Sequence, residues 1–109
     1  MNKSIINLKY IHTIIFDFDG VFTDNFVYVD SNGTESVRCS RADSYGISLL
    51  KRHISNSQQK IDIFVLSAED NEVVLKRCNK MGIACHQSAS SKARYITGTV
   101  ISVDGGQSL

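Results

Sequence analysis

The chain has no proline in 109 residues. A domain with several loops usually has a few, and this absence has no evident physical reason. Neither sign of charge is in excess: 12 Lys and Arg stand against 11 Asp and Glu. Nothing therefore points to nucleic acid or a membrane surface as a partner. No apolar run approaches the roughly 20 residues of a membrane span. The opening MNKSIINLKY has no long apolar region and no small-residue cleavage site, so no signal peptide is read and the cytoplasm is the default expectation. The three cysteines, Cys39, Cys78 and Cys85, form no CxxC and no Cys/His metal spacing. That argues against zinc and leaves buried or half-buried thiols in a reducing compartment. No repeat or linker divides the chain. Its 42% hydrophobic and 21% charged residues are ordinary for a globular protein. One domain over residues 1–109 is expected, long enough to bury roughly two-thirds of its unfolded surface.

What is present alternates between two periodicities. His12 to Phe18 (HTIIFDF) is β-branched and aromatic on both faces, the pattern of a central parallel strand ending at Asp19-Gly20. Phe26 to Asp30 and Glu35 to Cys39 flank Ser31-Asn32-Gly33, which predicts a β-hairpin. Asp43 or Ser44 is the expected cap of a helix carrying Ile47, Leu50 and Ile54 on one face. Ile61 to Leu66 predicts a second core strand. Ser67 to Asp70 has the S-x-x-D form of a capping box for a helix running to about Met81, with Val74, Cys78 and Met81 on one side and Gly82 as C-cap. Ile83 to His86 and Thr99 to Val103 read as further short strands. Strands alternating with helices imply a Rossmann-like α/β fold. Its sheet should be mostly parallel, with a hairpin inserted after strand 1. Such sheets bind ligands beyond the carboxyl ends of their strands, where Asp17, Asp19, Ser67 and Lys92 fall.

The string Phe16-Asp17-Phe18-Asp19-Gly20-Val21-Phe22-Thr23-Asp24 carries the chemistry. Two carboxylates at the end of a buried strand are costly to desolvate, and a divalent cation with a phosphate site would explain that cost. Mg²⁺ takes a few carboxylate or carbonyl oxygens and keeps several waters. One carboxylate can attack phosphorus; the other can act as general acid and then base. Gly20 lets the backbone turn closely around the phosphate.

FDFDGVFTD resembles the first motif of the haloacid dehalogenase-like phosphatases. The hairpin and the following Arg41-Ala42-Asp43-Ser44-Tyr45-Gly46-Ile47 are similar to the small-cap subgroup. That subgroup includes phosphatases of an eight-carbon acidic sugar phosphate, and the same module closes some acylneuraminate cytidylyltransferases. The resemblance covers about residues 11–92. It implies that Asp17 is the nucleophile and a Mg²⁺ ligand. Asp19 would be the acid/base, binding the metal through its carbonyl. Ser67 and Lys92 would bind phosphate, and Thr23, Arg41 and Asp43 would face substrate. It further implies a homo-oligomer, a tetramer in which the hairpin of one subunit reaches its neighbour's site. The eight-carbon enzymes usually continue the second motif as Thr-Gly-Arg. Here Ser67-Ala68-Glu69-Asp70 looks more like the acylneuraminate branch, so a nine-carbon acidic sugar phosphate stays open as substrate.

The resemblance has an edge. The family's fourth motif, GDxxND, completes the metal site and is absent from this sequence. From about Ala93 the chain reads ARYITGTVISVDGGQSL, which resembles the tail of short-chain dehydrogenases. No GxxxGxG and no Tyr-x-x-x-Lys accompanies that tail. The sequence therefore predicts a C-terminally truncated phosphatase fold with a foreign-looking end at 93–109. Asp104, closing the run TVISV, is the candidate substitute metal ligand. Against it, only eleven residues separate it from Lys92, too few for the usual crossover helix plus strand. Two other readings remain: a non-catalytic module that binds or pairs with subunits, and a phospho-accepting receiver domain, which would need its acid where this chain has Ser67.

Overall fold

In this computed structural model residues 8–68, 70–87 and 99–104 are described. After a single 3-10 turn at Leu8–Tyr10, β1 covers Ile11–Phe16. Two-residue strands β2 (Tyr28–Val29) and β3 (Glu35–Ser36) follow, then α1 (Ala42–Ser57), β4 (Asp62–Ser67), α2 (Glu72–Met81), β5 (Ala84–Gln87) and β6 (Thr99–Val103). The four longer strands form one parallel sheet in the order β5-β4-β1-β6, and β2 and β3 pair antiparallel beside it. This is the expected Rossmann-like α/β arrangement with its inserted hairpin.

The register explains the core. Phe16 lies opposite Val65, and Val65 opposite Cys85. With Ile63, these side chains form one face of the sheet, packed against Ile47 of α1 and Val74, Cys78 and Met81 of α2. Period-2 side chains from the strands thus meet the helical stripes read from the sequence. On the opposite face Phe64 is buried and meets the His86 ring edge-on, centroids 5.1 Å apart. No helix among the described residues is long and apolar enough to cross a membrane.

Several local expectations shift. β1 is buried only at Ile11 and Thr13, because the described sheet gives it helices on one face. Neither Asp43 nor Ser44 caps α1. The N-cap is Arg41, without a side-chain bond, and the Ser40 hydroxyl accepts the Ala42 N–H at 3.1 Å. Asp43 instead lies in the first helical turn, where a carboxylate complements the helix dipole. The Ser67 capping box does not form either. β4 runs through Ser67, which pairs with Gln87, so α2 starts later and Asn71 caps it by accepting the Val73 N–H at 3.0 Å. Gly82 is the C-cap as expected, at φ 73°, and Lys51 of α1 donates to its carbonyl. The hairpin ladder is shorter than its alternation suggested. The Asp30 carboxylate accepts from Asn32 and Thr34 N–H, and this Asx-type loop takes up residues that would otherwise extend the pairing.

Asn71 joins two elements. Its side chain caps α2, and its backbone carbonyl accepts from the Gln87 amide of β5 at 2.8 Å. Asn71→Ala is expected to cost about 1 kcal/mol through the lost cap. Urea denaturation should show the lower midpoint with an unchanged slope, and an unchanged midpoint would contradict the assignment.

Candidate active site

β1 delivers Asp17 at its carboxyl end in the middle of the sheet. The Asp17 N–H donates to the Val103 carbonyl of β6 at 2.8 Å. Phe16 stands opposite Val103, so Asp104 is one residue past the pair, at the same sheet end as Asp17. β6 runs parallel to β1. Asp17 is half-buried and Asp104 exposed.

The turn after β1 is set by its own residues. Val21 and Phe22 N–H both donate to the Phe18 carbonyl, at 3.2 and 2.8 Å, making one helical turn. Gly20 within it has φ 83°, a conformation that a side chain would strain. The Asp17 carboxylate accepts the Phe18 N–H at 2.9 Å, which fixes one of its oxygens. The Thr23 hydroxyl, buried, accepts from the Gly20 and Asn25 N–H groups at 3.2 and 3.0 Å. Thr23 thus braces the loop from within.

Two clefts open beside this turn. Asp19 lines a narrow one of about 120 Å³ between the hairpin residues Phe26, Val27 and Glu35 and the start of α2, at its cap Asn71 and Val73. Thr23, Asp24, Arg38 and Asp43 line a wider one of about 430 Å³. Asp24 and Arg38 are ion-paired across its rim at 2.8 Å. Arg41 is exposed at the head of α1 and does not line either cleft. Ser67 is buried at the end of β4, two strand positions past Val65, the partner of Phe16. Lys92 lies outside the described residues.

Arg38, Asn71 and Arg77 were not singled out by sequence. The Arg77 guanidinium donates to the Ser40 carbonyl at 2.7 Å and the Ser44 hydroxyl at 3.3 Å. It thereby clamps the segment carrying Asp43 to α2. Its Nε is buried with no hydrogen-bond partner among the described residues. An Arg facing inward from a helix otherwise patterned for a core is the available signal. Cys39 reports the charge nearby: burial pushes its thiol up, the Arg77 guanidinium opposes this, and Asp43, Asp19 and Asp24 push it up further.

The donor set fits a hard divalent cation in a limited way. Among the described residues no three His, Cys, Asp or Glu side chains cluster as a metal site. Mg²⁺ needs only one or two carboxylates with waters and a carbonyl. Asp17 and Asp104 lie at adjacent strand ends, with Asp19 two residues past Asp17.

No family model matches the chain. It is 28% identical over 89 residues to the 3-deoxy-D-manno-octulosonate 8-phosphate phosphatase of Escherichia coli K12, a match covering 81% of this chain and 44% of that protein. An HAD-family hydrolase from Streptomyces avermitilis shares the fold with TM-score 0.63 and 32% identity, over 78% of this chain and 45% of the other. The cobalt-bound deoxy-D-mannose-octulosonate 8-phosphate phosphatase of Haemophilus influenzae gives TM-score 0.57 and 30% identity, over 73% and 44%. The chain spans less than half the length of each of these relatives.

Proposed function

We propose, from its kinship in sequence and fold with the haloacid dehalogenase-like hydrolases, that this chain carries the phosphoryl-transfer site of a phosphatase for an acidic sugar phosphate. The observation that carries the reading is Asp17 at the carboxyl end of a central strand, its N–H held by β6, with Asp19 two residues on in a tight glycine turn. An eight-carbon sugar phosphate is favoured by the relatives' names. The nine-carbon class stays within the same chemistry.

In this mechanism an Asp17 oxygen attacks phosphorus and the bond to the sugar oxygen breaks. Asp19 gives the leaving alcohol its proton, and Asp17 is left as an aspartyl-phosphate. Asp19 then takes a proton from water, which attacks the same phosphorus and restores Asp17. The Ser67 hydroxyl and Lys92 ammonium would hold the phosphoryl oxygens, and Arg41, Asp43 and Thr23 would lie on the substrate side. Asp17, Asp104 and the Asp19 carbonyl would hold Mg²⁺, which supplies charge neutralisation for the transferring group. The hairpin leaves Phe26, Val27, Tyr28 and Val29 exposed, Phe26 by 74%. That apolar strip supports assembly of several copies around it.

Phosphate release from an aryl phosphate, with Mg²⁺ and with chelator, tests the reading, followed by a panel of acidic sugar phosphates. A folded sample inert under all conditions would favour a binding or subunit-pairing role instead. Asp104→Asn is expected to raise the Mg²⁺ concentration for half-maximal activity by on the order of tenfold or more. An unchanged requirement would remove Asp104 from the metal site.

A further inference from the structure

We propose that Cys78 and Cys85 form a dithiol site that a low-molecular-weight disulfide such as glutathione disulfide converts into an intramolecular disulfide. Cys78 sits on the core face of α2 near its end, and Cys85 is on β5. Gly82, in the left-handed conformation, folds the chain back between them. Both the Gly82 and Ile83 N–H groups bond the Cys78 carbonyl. The two side chains pack into the same cluster and line one open groove with Leu75, Lys76 and Ile83.

Their environments give the pair an order of reaction. Cys78 is 1% exposed, whereas Cys85 is half-buried and is the sulfur a reagent meets first. The thiols are in hydrogen-bonding reach, with Cys78 as donor. Burial pushes both thiols up: Cys78, which also feels Cys85, to about 12, and Cys85 with the Cys78 contact opposing its rise. Cys85 is thus the attacking sulfur and Cys78 the resolving one. The Cys85 thiolate attacks one sulfur of glutathione disulfide, and one glutathione thiolate leaves. The Cys78 sulfur then attacks the Cys85 sulfur and passes its proton to solvent, and the second glutathione thiolate leaves. Two protein thiols are oxidised and one disulfide is reduced to two thiols. Cys39 packs against the same cluster but lines the cleft beside Asp43 and not the groove that Cys78 and Cys85 share, so the pairing is assigned to those two.

The test treats the folded full chain with glutathione disulfide at about pH 9, above the ordinary thiol pKa of about 8.5, and maps its peptides without reduction. The expected product has lost two hydrogens, carries a Cys78–Cys85 cross-link and returns to thiols with dithiothreitol. Cys39→Ser should give the same cross-link. Cys78→Ser should stop at a stable glutathione adduct on Cys85. Wild-type chain ending as an adduct on any cysteine, remaining unmodified, or cross-linking only in denaturant would overturn the proposal. The wild-type map requires no variant to fold, and it is independent of phosphatase activity.

Discussion

Asp17→Asn is expected to cut phosphate release by roughly four orders of magnitude or more, the scale on which removal of a nucleophile registers. The argument is electronic. The amide oxygen of Asn is a poor nucleophile and brings no negative charge to a cation. The fold has little reason to respond. The amide oxygen can still accept the Phe18 N–H that Asp17 accepts at 2.9 Å, and the bond from the residue 17 N–H to Val103 belongs to the backbone. Stability should therefore change by no more than about 1 kcal/mol, as for other half-buried isosteric changes. Activity and urea midpoint are measured on the same preparation. Comparable turnover in the variant would refute the assignment of the nucleophile, and loss of both together would make Asp17 structural.

Phe18→Ala is expected to have the largest effect on stability, about 3–5 kcal/mol, the usual cost of emptying a buried aromatic site. Phe18 is 1% exposed and lies between the two acids in sequence. Its ring centroid is 6.0 Å from that of Phe22, which in turn packs 5.6 Å from Phe16. The three rings join the end of β1 to the turn that follows it. A cavity there has few neighbours free to collapse into it. Small domains hold only about 5–15 kcal/mol in total, so the loss should lower the denaturation midpoint steeply. A midpoint within about 0.5 kcal/mol of the parent, the range of surface changes, would mean the Phe18 pocket is not closed. The two variants separate two roles within one motif, Phe16 to Asp24. Phe18 turns inward into the core, and Asp17 and Asp19 on either side of it are the proposed catalytic pair.

Asp17 and Asp19 were legible in the sequence because two acids at the end of an apolar strand are hard to account for without a site. Val74, Cys78 and Met81 were legible because helical spacing repeats within a few residues. What was not legible depended on partners distant in the chain. Whether Ser67 caps a helix or ends a strand is decided by Gln87, twenty positions on, which pairs with it. The cap then passes to Asn71, a residue of equal intrinsic merit for the role. Thr99 to Val103 could be read as a strand, but its place beside β1 could not, since the run is apolar whichever neighbour it takes. Arg77 was missed for the same reason. Its value lies in the Ser40 carbonyl, and a backbone acceptor leaves no mark in the sequence.

The pairing of β6 with β1 also bears on how the molecule forms. It joins Phe16 to Val103 and so spans nearly the whole chain, whereas β4 and β5 neighbour each other across one helix. Contacts between distant residues carry the heaviest loop-closure cost and tend to form late. Until β6 docks, Asp17 stands at an open sheet edge. Docking of β6 is then a late folding step, and kinetics followed at the Asp17–Val103 edge should trail those followed at the α2–β5 corner.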